Sequence, residues 1–256
     1  MTEIPKEHPR YESLMIREKI VEGLNLGITS QQGLIAQGRG ESFDYLIGEH
    51  TTECAAYAER AAVALLLLAE RPVISVNGNT AVLVPEKIIA LADVTGAKLE
   101  VNLFHRSEVR MHKIIAHLKA HGAGEVLGKN ADARLPLEHD RGKVDKEGIY
   151  NADVVVVPLE DGDRCETLVK MGKVVIAIDL NPMSRTSLAS HVTIVDNVTR
   201  AIPNMLQFAK DMKQNKTEDL RKVVDCYDNN KILSSAIYEI HERLMNMAVE
   251  RGIEWI

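Results

Sequence analysis

The chain of 256 residues is poor in aromatic side chains, which make up 4% of it, and it contains only three cysteines. With so few rings, a core must be built from Ala, Val, Ile and Leu, which suits helices packed on a parallel sheet better than an aromatic-rich sandwich. Cys54, Cys165 and Cys226 are widely spaced and odd in number, so the sequence offers neither a disulfide framework nor a CxxC metal site. We expect each of them to be a packing residue rather than a nucleophile.

The sequence also lacks an excess of basic charge and a long apolar run. Thirty-one Lys and Arg residues stand against thirty-seven Asp and Glu residues, and the resulting net charge of −6 excludes a general attraction to nucleic acid or anionic lipid. The longest apolar run, 61–69, is far shorter than the ~20 residues of a membrane span. Because residues 1–10 are polar and contain no apolar signal segment, we expect a cytoplasmic protein with neither a membrane nor a nucleic-acid partner.

Short apolar runs rich in β-branched residues alternate along the chain with helical patterns. Such runs are typical of buried parallel strands joined by crossover helices. The predicted strands lie at 73–77, 99–104, 125–127, 154–157, 174–180 and 192–195. Between them, Pro85 and Gly96 mark the start and the end of a helix at 85–95, and another helix is predicted at 107–120. We therefore predict an α/β fold with a parallel sheet, right-handed crossovers and helices on both faces.

Helical segments flank the predicted sheet. Helices at 12–23 and 52–70 precede it, and the second is so rich in alanine that the sheet or a subunit interface must cover more than one of its faces. After Lys213 the composition turns polar, and a helical stripe of apolar residues follows at Leu233, Ile237, Ile240, Leu244 and Met247. We divide the chain into a domain of residues 1–213, with a helical part at 1–70 and the sheet core at 71–213, and a helical extension at 214–256. A charged, aperiodic segment at 128–150 is predicted to be a functional or mobile loop.

Two arginines in the N-terminal part are candidate anion ligands. On a helical wheel Arg17 falls inside the apolar arc of the first helix, where a buried guanidinium would need an anionic partner. That partner could be a ligand or a core carboxylate, or the side chain could extend to water. Arg39 lies between Gly38 and Gly40, which would let the backbone approach a ligand closely, although an ordinary tight turn is the simpler explanation.

Polar residues cluster where the first and fourth predicted strands end. Ligands of open α/β sheets bind beyond the carboxyl ends of the strands, so we assign these clusters to binding. The first cluster, assigned to the substrate, consists of Asn77, Gly78, Asn79 and Thr80. An Asn-Gly turn alone is commonplace. The second cluster runs from Glu160 to Arg164, and its carboxylates could hold Mg²⁺ beside nucleotide phosphates or form a solvated acidic loop.

Further candidates follow the other strands. Asp179 closes the longest strand, where an acidic residue can accept a hydrogen bond from a ribose hydroxyl. Cationic side chains near strand ends and in the 128–150 segment are candidates for binding an acidic substrate, namely His105, Arg106, His139, Arg141 and Arg164. His117 and His121 lie four residues apart on one helix, but no third ligand accompanies them, so we predict no metal site built by the protein alone.

Several separated blocks of the sequence together resemble one enzyme family. The blocks are IREKIVEG, GLIAQGRGESFDYLIGE, RPVISVNGNTA, KLEVNLFHR, LEHDRGKV and ADVVVVPLEDGDRCETLVKMGKVVIAIDLNPMSRT. Over residues 4–205 the chain is similar to the archaeal phosphopantothenate synthetase family, the 4-phosphopantoate–β-alanine ligases. Two positions depart from the family's pattern, namely Gln37, where histidine is usual, and Cys165, where threonine is usual. We place the part of the chain after Lys213 outside the resemblance.

The resemblance implies an ATP-dependent ligase of coenzyme A biosynthesis that forms 4′-phosphopantothenate, AMP and diphosphate through an acyl-adenylate. It also implies a homodimer with a Rossmann-like core, ATP as co-substrate and Mg²⁺ bound with ATP. The ATP contacts that carry over by motif are Arg17, Arg39, Asp179, Leu180, Asn181, Arg185, Thr186, Asn197 and Val198. We assign the catalytic roles to Arg17, Arg39, Asp161 and Asp163. A Rossmann-like oxidoreductase and a non-catalytic nucleotide-binding regulator are the alternatives, although the chain has neither a GxGxxG nor a GxxxxGK[ST] motif.

Overall fold

A computed structural model describes residues 4–159 and 161–252 of the chain. The α-helices are α1 (Tyr11–Asn25), α2 (Gln31–Ile47), α3 (Glu53–Leu68), α4 (Gly78–Leu83), α5 (Pro85–Thr95), α6 (Glu108–Ala120), α7 (Gly162–Lys170), α8 (Arg185–Ala189), α9 (Val198–Met212), α10 (Thr217–Asp225) and α11 (Asn229–Glu250). The strands are β1 (Pro72–Val76), β2 (Lys98–Val101), β3 (Val126–Leu127), β4 (Ala133–Arg134), β5 (Lys143–Val144), β6 (Val154–Pro158), β7 (Val174–Ile178) and β8 (Val192–Ile194). A 3₁₀ turn covers Asp140–Gly142, and a π-helical turn covers Lys146–Tyr150.

Within the described residues, six parallel strands form the central sheet in the order β3-β2-β1-β6-β7-β8. This order confirms the predicted parallel α/β sheet and is that of a Rossmann-like fold. The chain enters at β1, moves outward to β3, and returns to β6 on the other side of β1. Ile74 in β1 is accordingly paired with Leu99 on one side and with Val156 on the other. A crevice forms where the strand order reverses, between β1 and β6.

The strands are buried on both faces. In β6, Val154 and Val156 belong to one apolar cluster, whereas Val155 and Val157 belong to a second cluster on the opposite face. Successive side chains of a strand point to opposite faces, so a run of valines fits a sheet that is covered on both sides. The first face is covered mainly by α3, α5, α6 and α9, and the second by α7 and the segment between β4 and β6. The predicted helices on both faces are therefore present.

The alanine-rich helix α3 is buried along most of its length, as its composition predicts. It begins after Thr52, whose hydroxyl accepts a hydrogen bond from the backbone N–H of Ala55 at 3.2 Å. Small side chains let α9 and α10 approach it closely, and β8 packs on it as well. The sheet and the helices of the same chain cover α3, so its burial does not require a subunit interface.

Helix α2 is one of the helices that the sequence analysis did not predict, together with α4, α7, α8 and α9. The pattern around Arg39 was interpreted as a turn, and that interpretation is wrong because residues 31–47 form one helix. Three glycines within it, Gly33, Gly38 and Gly40, each lower helix propensity by about 1 kcal/mol relative to alanine. Tertiary contacts compensate, since buried Asp44 forms an ion pair with Arg200 at 2.5 Å.

The segment at 128–150 is not a plain loop. It contains the antiparallel β4–β5 pair, the 3₁₀ turn and the π-helical turn. Buried Glu100 in β2 accepts hydrogen bonds from the backbone N–H groups of Asp145 and Ile149 at 3.0 and 2.6 Å. Burial raises the pKa of Glu100 to about 7. Polar contacts to β2 therefore fix the segment. Because such contacts do not depend on a periodic apolar pattern, the sequence of the segment shows neither helical nor strand periodicity.

The extension after Lys213 forms α10 and α11, which pack on α3, α2 and β8. The apolar stripe of α11 is only partly covered, because Leu233 is buried and Ile240 packs on the core, whereas Ile237 and Leu244 are each 44% exposed. None of the helices in the described part of the chain is both long and apolar enough to span a membrane.

Candidate active site

A cavity of about 610 Å³ lies at the carboxyl ends of the parallel strands, on both sides of the β1–β6 crevice. Its lining comes from α2, from the segments that follow β1, β2, β6 and β7, and from the 3₁₀ turn. The lining residues are Ser30, Gln32, Gly33, Ala36, Arg39, Gly40, Phe43, Asn77, Gly78, Asn79, Leu103, Phe104, His105, Arg110, Arg141, Leu159, Asp161, Gly162, Asp179, Leu180, Asn181, Ser184, Arg185 and Thr186. The crevice at the reversal of strand order is where ligands of such folds bind.

Helix α2 covers the cavity with one of its faces. The lining positions 32, 33, 36, 39, 40 and 43 repeat with helical spacing, so they lie on one side of the helix. Arg39 is in the middle of this face, is exposed, and forms no hydrogen bond or ion pair with any described residue. Burial raises the pKa of Asp179, and the positive charge of Arg39 is close enough to oppose part of that rise. An exposed guanidinium of this kind is available to a phosphate or a carboxylate.

Asp179 follows β7 and is held in a small hydrogen-bonded loop. Its carboxylate accepts from the Ser184 hydroxyl at 2.5 Å and from the backbone N–H of Asn181 at 3.0 Å. Burial is the largest influence and raises the pKa of Asp179 above its ordinary value, against these hydrogen bonds and the charge of Arg39. Helix α8 begins after Ser184, and its first residue, Arg185, forms an ion pair with Glu166 at 2.9 Å.

The end of β1 is tied to the end of β6 by Asn77. Its side chain caps α4 by accepting from the backbone N–H of Thr80 at 3.0 Å, and it donates to the carbonyl of Pro158 at 2.8 Å. Leu159 comes next and has a left-handed backbone with φ of 52°, which is uncommon outside glycine and concentrates at functional sites. Asn79 donates to the carbonyl of Gly33 at 2.9 Å and so connects the crevice to α2.

Cationic residues line the cavity on the β2 side. Arg141, on the 3₁₀ turn, is 6% exposed, and its Nε is 2.8 Å from Oδ2 of Asp161. Arg110 of α6 donates to the carbonyl of Ile28 at 2.9 Å. Its pKa is lowered, mainly by burial and also by the positive charge of Arg141. These two arginines place positive charge on this side of the cavity, beside His105, and positive charge favours an acidic ligand.

Several predicted site residues do not line the cavity. Arg17 is not in a buried stripe, as the helical wheel suggested, because its side chain is 46% exposed. It forms an ion pair with Glu41 of α2 at 2.8 Å, on the other side of that helix from Arg39. Asn197 donates to the Asp44 carboxylate at 2.8 Å, which places it and Val198 beneath the C-terminal end of α2.

Other predicted residues surround the lining without being part of it. Arg106 points away and donates to the carbonyl of Gly128 at 2.8 Å. Nε2 of His139 lies 3.0 Å from Oδ2 of Asp163. In the sequence, His139 is two residues from Arg141, and Asp163 is two residues from Asp161. Thr80 and Arg164 are fully buried behind the cavity wall, and Glu160 lies outside the described residues. For all of these residues a role in binding stays a prediction.

Residues that the sequence analysis did not select complete the lining. They are Ser30, Gln32, Gly33, Ala36, Phe43, Leu103, Phe104, Arg110, Leu159 and Ser184. Only Ser184 has a visible signal, because it lies in the same strand-end segment as Asp179. The α2 residues could have been found only by predicting that helix and its position over the sheet.

The carboxylates of the cavity do not form a metal site on their own. Within the described residues, no group of three or more His, Cys, Asp or Glu side chains is arranged to hold a metal ion. Asp161, which comes after β6, and Asp179, which comes after β7, both line the cavity. Because Mg²⁺ is commonly held by one or two carboxylates together with substrate phosphates, this donor set fits an ion that enters with a nucleotide.

The fold and the cavity define a Rossmann-like α/β protein with an arginine-lined cavity at the reversal of strand order. Residues 54–243 match the phosphopantothenate/pantothenate synthetase family. The chain belongs to this family. It is 66% identical over 252 residues to a 4-phosphopantoate–β-alanine ligase of Methanosarcina mazei, and the match covers 98% of this chain and 100% of the relative.

More distant archaeal relatives also match over nearly their whole length. A 4-phosphopantoate–β-alanine ligase of Thermococcus kodakarensis is 56% identical over 99% of this chain and 97% of its own. A 4-phosphopantoate–β-alanine ligase of Methanospirillum hungatei is 48% identical, and the match covers 95% of this chain and 99% of the relative. Because these matches include the residues after Lys213, the expectation that the tail lies outside the family is wrong.

Proposed function

We propose that this chain is an ATP-dependent ligase that joins 4-phosphopantoate to β-alanine in coenzyme A biosynthesis and releases AMP and diphosphate. Its family and the ligase activity for which its relatives are named support this reaction. The structural observation that carries the proposal is one cavity with two cationic sides separated by the β1–β6 crevice. A ligase of this kind needs such an arrangement, since it must bring two phosphorylated substrates together.

We assign the two substrates to the two sides. ATP would lie on the β7 side, against Arg39, Asp179, Asn181 and the start of α8, where an acidic residue ends a strand. The phosphorylated acid would lie on the β2 side, against His105, Arg110 and Arg141. The carboxylate of the acid and the α-phosphate of ATP would then meet at the ends of β1 and β6.

The proposed chemistry needs no side-chain nucleophile. A carboxylate oxygen of 4-phosphopantoate attacks the α-phosphorus of ATP, an O–P bond forms, and the bond to diphosphate breaks. The neutral amine of β-alanine then attacks the acyl carbon, AMP leaves with the electron pair of the C–O bond, and the amine loses a proton. Negative charge develops on phosphate and carbonyl oxygens, and positioned arginines stabilise it more strongly in a partly dry cavity than in water. Holding the reactants in line adds a large proximity effect.

Asp161 and Asp179 would hold Mg²⁺ together with the nucleotide phosphates, and the ion would supply Lewis-acid polarisation of the phosphoryl group. Asp161 also forms an ion pair with Arg141. That pair would orient the guanidinium when no acid is bound. Arg17, Asn197 and Val198 stay proposed ATP contacts on the family motif alone, and Asp163 and His139 stay proposed members of the site. A homodimer that acts in the cytoplasm is likewise part of the proposal.

The experiment is a product assay with ATP, 4-phosphopantoate and β-alanine, in which each substrate is omitted in turn. We expect AMP and diphosphate only when 4-phosphopantoate is present, because adenylation of the acid precedes amide formation. ADP as the nucleotide product would overturn the acyl-adenylate mechanism. Reduction of a nicotinamide cofactor, followed by its absorbance, would favour the oxidoreductase alternative, and ATP binding without turnover would favour the regulator.

A further inference from the structure

Asn102 lies directly after β2, and no pattern in the sequence marks it as a site residue. Its side chain is fully buried. Its backbone N–H donates to the carbonyl of Val76, the last residue of β1, at 3.0 Å. Asn102 is therefore fixed to the edge of the sheet at which the cavity opens, although it does not itself line the cavity.

The amide nitrogen of Asn102 holds the 3₁₀ turn. It donates to the carbonyl oxygens of Arg141 and Lys143 at 3.2 and 3.0 Å. Two acceptors on the same side of the amide determine its orientation, because the opposite orientation would place Oδ1 against them. Oδ1 is buried and has no hydrogen-bond partner among the described residues. The polar contacts of this side chain are therefore directed at the turn.

The turn is also held from its other side. The backbone N–H of Leu135 donates to the carbonyl of Gly142 at 2.8 Å. A Cβ atom at Gly142 would lie 2.8 Å from the carbonyl oxygen of Leu137, so no larger residue fits there without movement. The three consecutive backbone carbonyls of residues 141 to 143 thus all accept hydrogen bonds within the protein. These hydrogen bonds restrain the backbone that carries Arg141.

Arg141 needs such support because of where its guanidinium lies. The side chain is buried beside Arg110, and the two positive charges repel each other, as the lowered pKa of Arg110 reflects in part. A long cationic side chain in that situation extends to water unless its backbone and an anion hold it. Asp161 supplies the anion at 2.8 Å, and the turn supplies the backbone.

We propose that Asn102 is a positioning residue, which holds the turn so that Arg141 presents its guanidinium to the phosphorylated acid. This inference rests on the proposed function, because it assigns Arg141 to that substrate. Asn102 acts only through Arg141 in this scheme. Removing Asn102 should therefore weaken binding of the acid and leave the ATP side of the cavity unchanged.

The test is a double-mutant cycle with Asn102→Ala and Arg141→Gln, read by calorimetry of 4-phosphopantoate and by the KM for ATP. In the wild-type background, Asn102→Ala should raise the Kd for 4-phosphopantoate on the order of tenfold, the effect of a lost charge-assisted contact. In the Arg141→Gln background the same substitution should change this Kd less than about twofold, because the group through which it acts is gone. The KM for ATP should stay within about twofold when Asn102→Ala is introduced into either background.

Thr95→Val is the matched control. It also removes a buried side-chain hydrogen bond to a backbone carbonyl, here from the Thr95 hydroxyl to Leu91 at 2.7 Å near the end of α5. It should lower the melting temperature without changing the Kd for 4-phosphopantoate. If Asn102→Ala does not fold, Asn102→Ser takes its place in the cycle, since its shorter side chain cannot bridge both carbonyls.

Two outcomes would overturn the positioning role. One is an equal rise in the Kd for 4-phosphopantoate in both backgrounds, and the other is a parallel rise in the KM for ATP, which a general loss of structure would cause. Failure of the proposed function would look different. A wild-type chain that binds 4-phosphopantoate but forms no AMP contradicts the ligase reaction and leaves the binding cycle to decide the role of Asn102.

Discussion

Glu59 should make the protein lose stability as the pH rises through neutrality. This side chain lies on α3 and is fully buried. Oε1 accepts a hydrogen bond from the Asn204 amide at 3.3 Å, and Oε2 has no partner among the described residues. Burial, with a smaller contribution from the negative charge of Asp196, raises the pKa of Glu59 to about 8. The carboxyl is therefore protonated in the folded chain at neutral pH.

The sign follows from proton binding in the two states. Between the ordinary pKa of 4.5 and about 8, the folded chain holds a proton on Glu59 that the unfolded chain has released. The free energy of unfolding therefore falls as the pH rises through this range, by about 1.4 kcal/mol per pH unit. Over the whole range this amounts to about 4 to 5 kcal/mol. A Glu59→Gln variant keeps the shape and the acceptor for Asn204 but cannot ionise, so it should escape this loss.

The assay is urea unfolding of wild type, Glu59→Gln and a control, Glu53→Gln, at intervals from pH 5 to pH 9. Glu53 is on the same helix but exposed, so the control makes the same chemical change in water. Glu59→Gln should match the wild type within about 1 kcal/mol at pH 5 and exceed it by several kcal/mol above pH 8. If the difference between the two proteins does not change with pH, Glu59 is not protonated in the folded chain and the argument fails.

Three further predictions concern the cavity and the tail. Arg39→Ala should raise the KM for ATP tenfold or more with little change in melting temperature, since this exposed guanidinium has no partner among the described residues. Gly38→Ala should stabilise the chain by about 0.5 to 1 kcal/mol in urea unfolding because nothing lies within 4 Å of its added Cβ, whereas Gly33→Ala should destabilise it because its Cβ would lie 2.5 Å from Oδ1 of Asn79. Truncation after Lys213 should lower the melting temperature by exposing α3, and an unchanged melting curve would contradict the packing of α10 and α11.

The six strands of the central sheet were predictable because their signal is local, whereas β4 and β5 were missed. Valine and isoleucine dominate β6 and β7. Because both faces of these strands are buried, each strand is a continuous apolar run, which is easily recognised in the sequence. The predicted ends were less accurate where the chain leaves the sheet to build the cavity. Strand β2 was predicted to continue to residue 104 because Leu103 and Phe104 are apolar. Instead, Asn102 donates a hydrogen bond to the 3₁₀ turn, and Leu103 and Phe104 line the cavity.

Helix α2 and the environment of Arg17 were not predictable for a common reason. The glycines of α2 weaken its local helix signal, and its stability depends on contacts such as Asp44 with Arg200, whose partners are far apart in the sequence. Without α2, the anionic partner of Arg17 could not be found. The wheel placed Arg17 in a buried stripe and left its anionic partner open between a ligand and a carboxylate, whereas the side chain is 46% exposed and pairs with Glu41 on the missed helix.

Position after a strand end predicted where the cavity lies but could not tell which side chains line it. Asn77, Asp161 and Asp179 all line the cavity because the carboxyl ends of parallel strands meet at one edge of the sheet. Arg106 and Arg110 both follow β2, and the direction of the chain between them decides which one faces the cavity. Arg106 donates to a carbonyl on the outer side, whereas the first turn of α6 directs Arg110 inward. Side-chain direction at such an edge depends on loop backbone conformation, and a periodic sequence pattern carries no information about that conformation.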